Sequence, residues 1–221
     1  MSRARSLRSL LAITGALLAA VLGGVSALAS SSDWKVGYFT PSPHGTLSFA
    51  SAEALANGVA TFNFTNQPNT ALLATDHGGS VVRGDLNGKT ITAKFDIGGA
   101  AGAFTYFGEG TASNPCAFPA NVRLYFQTTN AGGFAFTNFW WSDSAFAILA
   151  NGTYTLTASV SPVGWSDWNG KVAADNAAAF NDAASNVTLI GLSFGGGCFF
   201  ENGVGTADGS GTFNLESFEV T

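Results

Sequence analysis

Alternation of apolar and polar residues with a period of two runs through most of the chain, and it predicts short β-strands. The stretch Asn186 to Glu201 is the centre of the pattern. Thr188, Ile190, Leu192 and Phe194 fall on one face of an extended chain, and Val187, Leu189, Gly191 and Ser193 on the other. The second face begins apolar and shrinks to glycine and serine, which either admits a neighbour's large side chain or leaves a shallow groove. Ala60, Phe62 and Phe64 alternate with Thr61, Asn63 and Thr65. Ile91, Ala93, Phe95 and Ile97 alternate with Thr90, Thr92, Lys94 and Asp96. In Asn121 to Thr128 the pattern sends Val122, Leu124 and Phe126 inward and sets Arg123, Tyr125 and Gln127 in a row on the opposite face.

Further strands are expected at Thr70 to Thr75, Gly79 to Arg83, Phe104 to Phe107, Phe134 to Ser142 and Thr153 to Val160, with Asp76-His77-Gly78 as a tight turn. Gly211 to Val220 changes parity between Leu215 and Phe218, which a bulge near Ser217 reconciles. Ser31 to Pro43 is turn-rich and reads as an irregular arm held by Trp34, Tyr38 and Phe39. Ala173 to Ala184, alanine-rich with Phe180 as anchor, is the one expected helix. About ten short strands, apolar inside and polar outside, predict an all-β fold: a two-sheet antiparallel β-sandwich of the jelly-roll type with one short helix.

The first residues break this pattern. Arg3, Arg5 and Arg8 precede an apolar run from Leu10 to Val25 that ends in Ala27-Leu28-Ala29, so residues 1 to 29 read as a secretion signal. The remainder, 30 to 221, suits one domain, released from the membrane after cleavage and extracellular. The nine basic side chains fall to six without the leader, against 14 acids, so the net charge is near −8. That sign argues against nucleic acid and anionic membranes as partners. The chain is expected to act as a monomer. Cys116 and Cys198 are an even pair in an exported chain and are expected to form a disulfide worth roughly 4 kcal/mol in the chain-entropy picture. A metal site on them fails for want of ligands, since His44 and His77 stand at no ligand spacing.

The succession Val122-Arg-Leu-Tyr-Phe-Gln127, Trp140-Trp141-Ser142, Gly152-Thr-Tyr-Thr-Leu-Thr157, Pro162-x-x-Trp165-Ser166, a helix, and Asn186-Val-x-x-Ile-Gly-Leu-Ser-Phe-Gly-Gly-Gly197 resembles bacterial secreted jelly-roll domains. These are the galactose-binding-like sandwiches that include many carbohydrate-binding modules. The likeness spans about residues 88 to 221. It implies a non-catalytic module whose partner is a polysaccharide or glycan surface. Such modules often carry a structural calcium near the chain termini; no acidic cluster clearly reproduces that site, so no cofactor is expected and a structural calcium stays open.

Neutral glycans are recognised by flat aromatic surfaces together with planar amide, guanidinium or carboxylate groups. Arg123, Tyr125 and Gln127 supply that mixture, and Asn138 and Trp140, of one parity, extend it if the next strand pairs with theirs. The plainer reading is a solvated sheet face with Arg123 bridged to an acid. Trp140 and Trp141 must point to opposite faces. Trp165 and Trp168 are expected to pack their loop onto the sandwich edge. A glycoside hydrolase or lyase needs two carboxyl groups about 5 to 9.5 Å apart. Glu109 and Glu201, near the two cysteines, are the plausible pair, but neither stands on an alternating strand. A structural or adhesive extracellular protein is the remaining alternative.

Overall fold

The structure is a computed structural model that describes residues 31–40, 45–76, 84–111, 118–129, 133–197 and 202–221. The expected signal segment, the strand Gly79 to Arg83, both cysteines, both histidines and Glu201 lie outside the described residues. The strands are β1 (Ser31–Thr40), β2 (Thr46–Glu53), β3 (Ala60–Asn63), β4 (Thr70–Thr75), β5 (Thr90–Gly98), β6 (Phe104–Tyr106), β7 (Asn121–Thr128), β8 (Phe139–Ile148), β9 (Gly152–Ser159), β10 (Trp165–Asp167), β11 (Val187–Gly195), β12 (Val204–Thr206) and β13 (Thr212–Val220). They form one hydrogen-bonded path in the order β10-β8-β7-β11-β4-β1-β2-β3-β13-β5-β9, with β12 and β6 attached beside β4. Every pairing is antiparallel.

The path folds back on itself and makes a β-sandwich. Phe194 of β11 meets Phe62 of β3 at 5.8 Å between ring centroids and Phe213 of β13 at 5.4 Å. Trp34 of β1 meets Phe218 of β13 at 5.1 Å. Side chains from the two halves therefore interlock in one core, with β10-β8-β7-β11-β4-β1 as the first layer and β3-β13-β5-β9 as the second. The two layers are not wholly separate sheets, because β2 joins them: it runs along β1 for most of its length but meets β3 through the single pair Glu53 and Thr61.

The alternation places the core as expected. Ile91, Ala93, Phe95 and Ile97 are buried, as are Val122, Leu124 and Phe126. In β13 the register shifts between Leu215 and Ser217, and the bulge keeps Phe213, Leu215 and Phe218 all inside. The helix α1 (Ala177–Ser185) follows a 3-10 turn at Ala173–Asn176. It drives Phe180 among Trp140, Phe126 and Trp165 at 5.0, 5.6 and 6.1 Å. No helix among the described residues is long and apolar enough to cross a membrane.

Two expectations need correction. Ser31 to Thr40 is no irregular arm but the strand β1, paired on both edges by β2 and β4. Gly37, which suggested a turn, is an interior strand residue: a Cβ there would stand 3.0 Å from Phe49 and 3.2 Å from Leu47, whose side chains lie over it. The stretch from Phe134 is not extended throughout, since Phe136–Asn138 is a 3-10 turn and β8 begins only at Phe139. Strands β2 and β12 carried too little alternation to be expected.

Phe194 is fully buried where the layers meet, whereas Thr155 is exposed on the outside of the second layer. Phe194→Ala is expected to cost about 3 to 5 kcal/mol and Thr155→Ala no more than about 0.5 kcal/mol, read from urea denaturation midpoints.

Candidate functional site

The outward faces of the two layers differ. On the second layer the alternation leaves Lys94, Thr155, Thr157, Glu216 and Glu219 exposed, the solvated side usual for an antiparallel sheet. On the first layer the outward residues form a second apolar cluster of Ala71, Leu72, Ala74, Tyr125 and Trp141, on which Phe39, Phe139, Trp168 and Leu189 pack partly buried.

Register assembles this face row by row. One row runs from Trp141 through Tyr125, Gly191 and Ala74 to Lys35. The row beside it runs from Phe146 through Arg123, Ser193 and Leu72 to Gly37. Small residues occupy β11 in both rows, so the Trp141 indole reaches across β7, and its Nε1 donates to Ser193 Oγ at 2.9 Å. Of the two outcomes anticipated for that narrow face, a neighbour's large side chain lies across it. Tyr125 packs against Trp141 at 5.1 Å and donates its hydroxyl to Gln127 Oε1. That bond engages the Gln127 carbonyl and leaves its amide NH2 as a donor.

Above this floor stand rings that are open to solvent on one side. Trp168 meets Trp141 at 5.9 Å and Phe139 at 5.1 Å, and the exposed Phe134 meets Trp168 at 5.6 Å. The floor and rim enclose a cavity of about 100 Å3 lined by Phe39, Leu72, Tyr125, Trp141, Trp168 and Ser193. Toward the C-terminal end of β7 it gives way to a wider polar depression of about 460 Å3, lined by Lys35, Asp76, Gln127, Thr129, Thr188 and Leu189. There Lys35 Nζ and Asp76 form an ion pair at 3.2 Å with both side chains partly exposed. At the other end Arg123, 3% exposed, is paired with Asp143 at 3.2 Å.

Arg123, Tyr125 and Gln127 do share one face, but the first two are almost fully covered and do not form a solvated row. Asn138 and Trp140 are not on this face. Trp140 pairs with Phe126, is fully buried in the inner core, and donates Nε1 to Thr137 O at 2.8 Å. The register places Trp141 opposite Tyr125, one residue from the expected partner, and a one-residue difference reverses the face. Asn138 is buried in the 3-10 turn and donates to Gly133 O at 3.1 Å. The expected loop holds the strand β10, and its two tryptophans divide: Trp165, in β10, is core, 5.1 Å from Phe126, while Trp168 packs on the outward cluster. Trp141, Trp168, Phe39 and Ser193 were not among the expected site residues, although the opposite parity of Trp140 and Trp141 required one of that pair to face outward.

Glu109 is exposed and accepts a hydrogen bond from the Tyr106 N–H at 3.4 Å. Among the described residues no group of three or more His, Cys, Asp or Glu side chains is arranged to hold a metal ion.

A scan against protein-family models finds no match, and neither does a search of curated proteins. Among solved structures the chain is similar to a protein described as xylan-binding module CBM15, with 17% identity and a TM-score of 0.38. The overlap covers 83% of this chain and 92% of that one.

Burial pushes the Tyr125 phenol well above its ordinary value of 10.0. The folded protein therefore keeps a proton that the unfolded chain releases above about pH 10, and rising pH then favours unfolding. This contribution to stability should be intact below that pH and fall by up to about 1.4 kcal/mol per pH unit above it. Tyr125→Phe should flatten that part of the alkaline limb in chemical denaturation series, while Tyr38 and Tyr106, also raised by burial, retain theirs.

Proposed function

We propose that this protein is a non-catalytic module that binds a neutral glycan chain along the outward face of the first layer. The observation that carries the reading is the asymmetry between the two outward faces. One is ordinary solvated sheet, and the other is an aromatic trough with hydrogen-bonding groups at both ends. Sugar rings present apolar C–H faces and equatorial hydroxyls, which match ring surfaces and planar polar groups respectively. Trp168, Phe39 and Phe134 offer the accessible rings, and the buried Tyr125 and Trp141 hold them in place.

The depressions follow β7, and the nine residues from Asn121 to Thr129 span about 26 Å at strand rise, longer than a single sugar. A segment of chain lying along the strand fits that length. Among the described residues, the cations Arg123 and Lys35 on this face already stand against carboxylates, which favours uncharged sugars over uronates. The leader-like segment at residues 1 to 29 supports export, so the glycan would be met outside the cell.

The test is affinity electrophoresis of the purified chain against a panel of neutral polysaccharides. At least one should retard it, Trp168→Ala should weaken that retention about tenfold, and Thr155→Ala should leave it unchanged. Unaltered mobility on every polysaccharide would replace this reading with a structural or adhesive one. Release of reducing ends, lost in Glu109→Gln, would replace it with a hydrolase.

A further inference from the structure

A separate cavity of about 170 Å3 lies at the N-terminal end of β7, lined by Phe118, Asn121, Arg123, Asp143, Phe146 and Gly197. Its chemistry is unlike that of the trough. Phe118 and Phe146 are exposed at 52% and 41%, and their rings meet at 6.1 Å, so a pair of aromatic surfaces stands at the mouth. Below them Asp143 is fixed through one oxygen: Oδ1 accepts from Arg123 Nη1 at 3.2 Å and from Ser166 Oγ at 2.8 Å. The second carboxylate oxygen has no protein donor among the described residues, and the side chain is 37% exposed. A carboxylate held in this way is an acceptor oriented before any ligand arrives.

The floor supplies an independent observation. Asn121 is 1% exposed and donates Nδ2 to Pro119 O at 2.9 Å, but its Oδ1 is buried with no hydrogen-bond partner. Buried polar atoms in folded proteins are nearly always paired, and pairing this one requires the Asn121 amide to turn toward the cavity as a donor arrives. The site therefore presents one open acceptor on Asp143, a second on Asn121 that is uncovered only when its amide turns, and apolar rings at its mouth. A molecule with several hydroxyl donors and one apolar face answers both, whereas an anion would meet the exposed Asp143 oxygen and be repelled.

We infer that the cavity bounded by Phe118, Phe146, Arg123 and Asp143 is a second glycan subsite, which takes one neutral pyranose ring at the end or branch of a chain. It rests on the glycan reading above for the class of ligand, and it meets the trough at the Arg123–Asp143 ion pair. Arg123 is a positioning residue here, since its ion pair orients the carboxylate, and Asp143 and Phe146 make the contacts.

The experiment is a titration of the isotope-labelled full chain with D-glucose, D-xylose and D-galactose, each separately, following the backbone amides of Asp143, Phe146 and Gly197 by NMR. At least one sugar should move these signals saturably. Asp143→Asn should weaken that binding about tenfold, by turning an acceptor into a donor, and Phe146→Ala about fivefold. Phe146 stands exposed at the mouth and outside the core, so its variant remains informative should the Asp143 variant unfold. Trp168→Ala should leave the monosaccharide response intact while polysaccharide retention drops, which separates the two sites. Saturable shifts here with no polysaccharide retention would overturn the trough and leave the subsite standing. The subsite is overturned if none of the three sugars shifts these amides, if D-glucuronate binds as tightly as they do, or if both variants titrate like the parent.

Discussion

The indole of Trp141 lying across β7 onto Ser193 is the contact on which the outward face depends. It requires small residues on β11, and it requires close strands: a Cβ on Gly191 would come within 2.2 Å of the Leu73 carbonyl oxygen. A side chain on Gly191 would force β4 away from β11, and one larger than serine at position 193 would crowd the indole. Ser193 is the better fitted of the two, because its hydroxyl accepts from Trp141 and donates to Ala71 O at 3.3 Å, linking β8, β11 and β4 through one side chain. With the indole held flat, Tyr125 packs beside it, and the Tyr125 hydroxyl in turn fixes Gln127. A single polar contact under an apolar cover thus orders groups on several strands.

The inner core imposes less selectivity. Phe62, Phe64, Phe95, Phe194 and Phe213 meet at 4.8 to 6.3 Å in stacked and edge-on pairs, and their role is satisfied by bulk and shape. Such a core makes the sandwich stable but carries no information about a ligand. The outward cluster is small by comparison, yet it mixes rings with an amide, a hydroxyl and two ion pairs. Such a mixture can select a ligand where the fold alone cannot, since sandwiches of this kind serve many purposes.

The inner face was legible in the sequence because two-residue alternation is dictated by strand geometry, and the inward residues of β5, β7 and β9 obey it. Even the bulge at Ser217 could be read, since the parity of Leu215 and Phe218 is irreconcilable without it. The outward face was half legible. Arg123, Tyr125 and Gln127 share a strand, so their common side followed from sequence alone. Their neighbours depended on register between strands, which alternation leaves open to within a residue, and the choice between Trp140 and Trp141 turned on that single step. Strand β1 was hidden for another reason: Gly37 looks like punctuation until Phe49 and Leu47 are seen to lie over it.

The burial of Tyr125 and Trp141 bears on how such a face can bind at all. Rings almost wholly covered cannot be the surface a ligand touches, so on the proposed glycan reading their contribution is indirect. They are locked by neighbours on both sides, and the half-exposed rings above them inherit that rigidity. Trp168 is held by Trp141 and Phe139 from below and by Phe134 from the side, which leaves it few rotamers to lose when a ligand arrives. Ordering a free side chain at an interface costs about 0.5 to 1.5 kcal/mol, comparable to what one stacking contact returns. A weakly interacting ligand such as a neutral sugar is therefore bound better by rings already fixed than by a larger number of mobile ones, and an aromatic floor hidden from solvent is the means of fixing them.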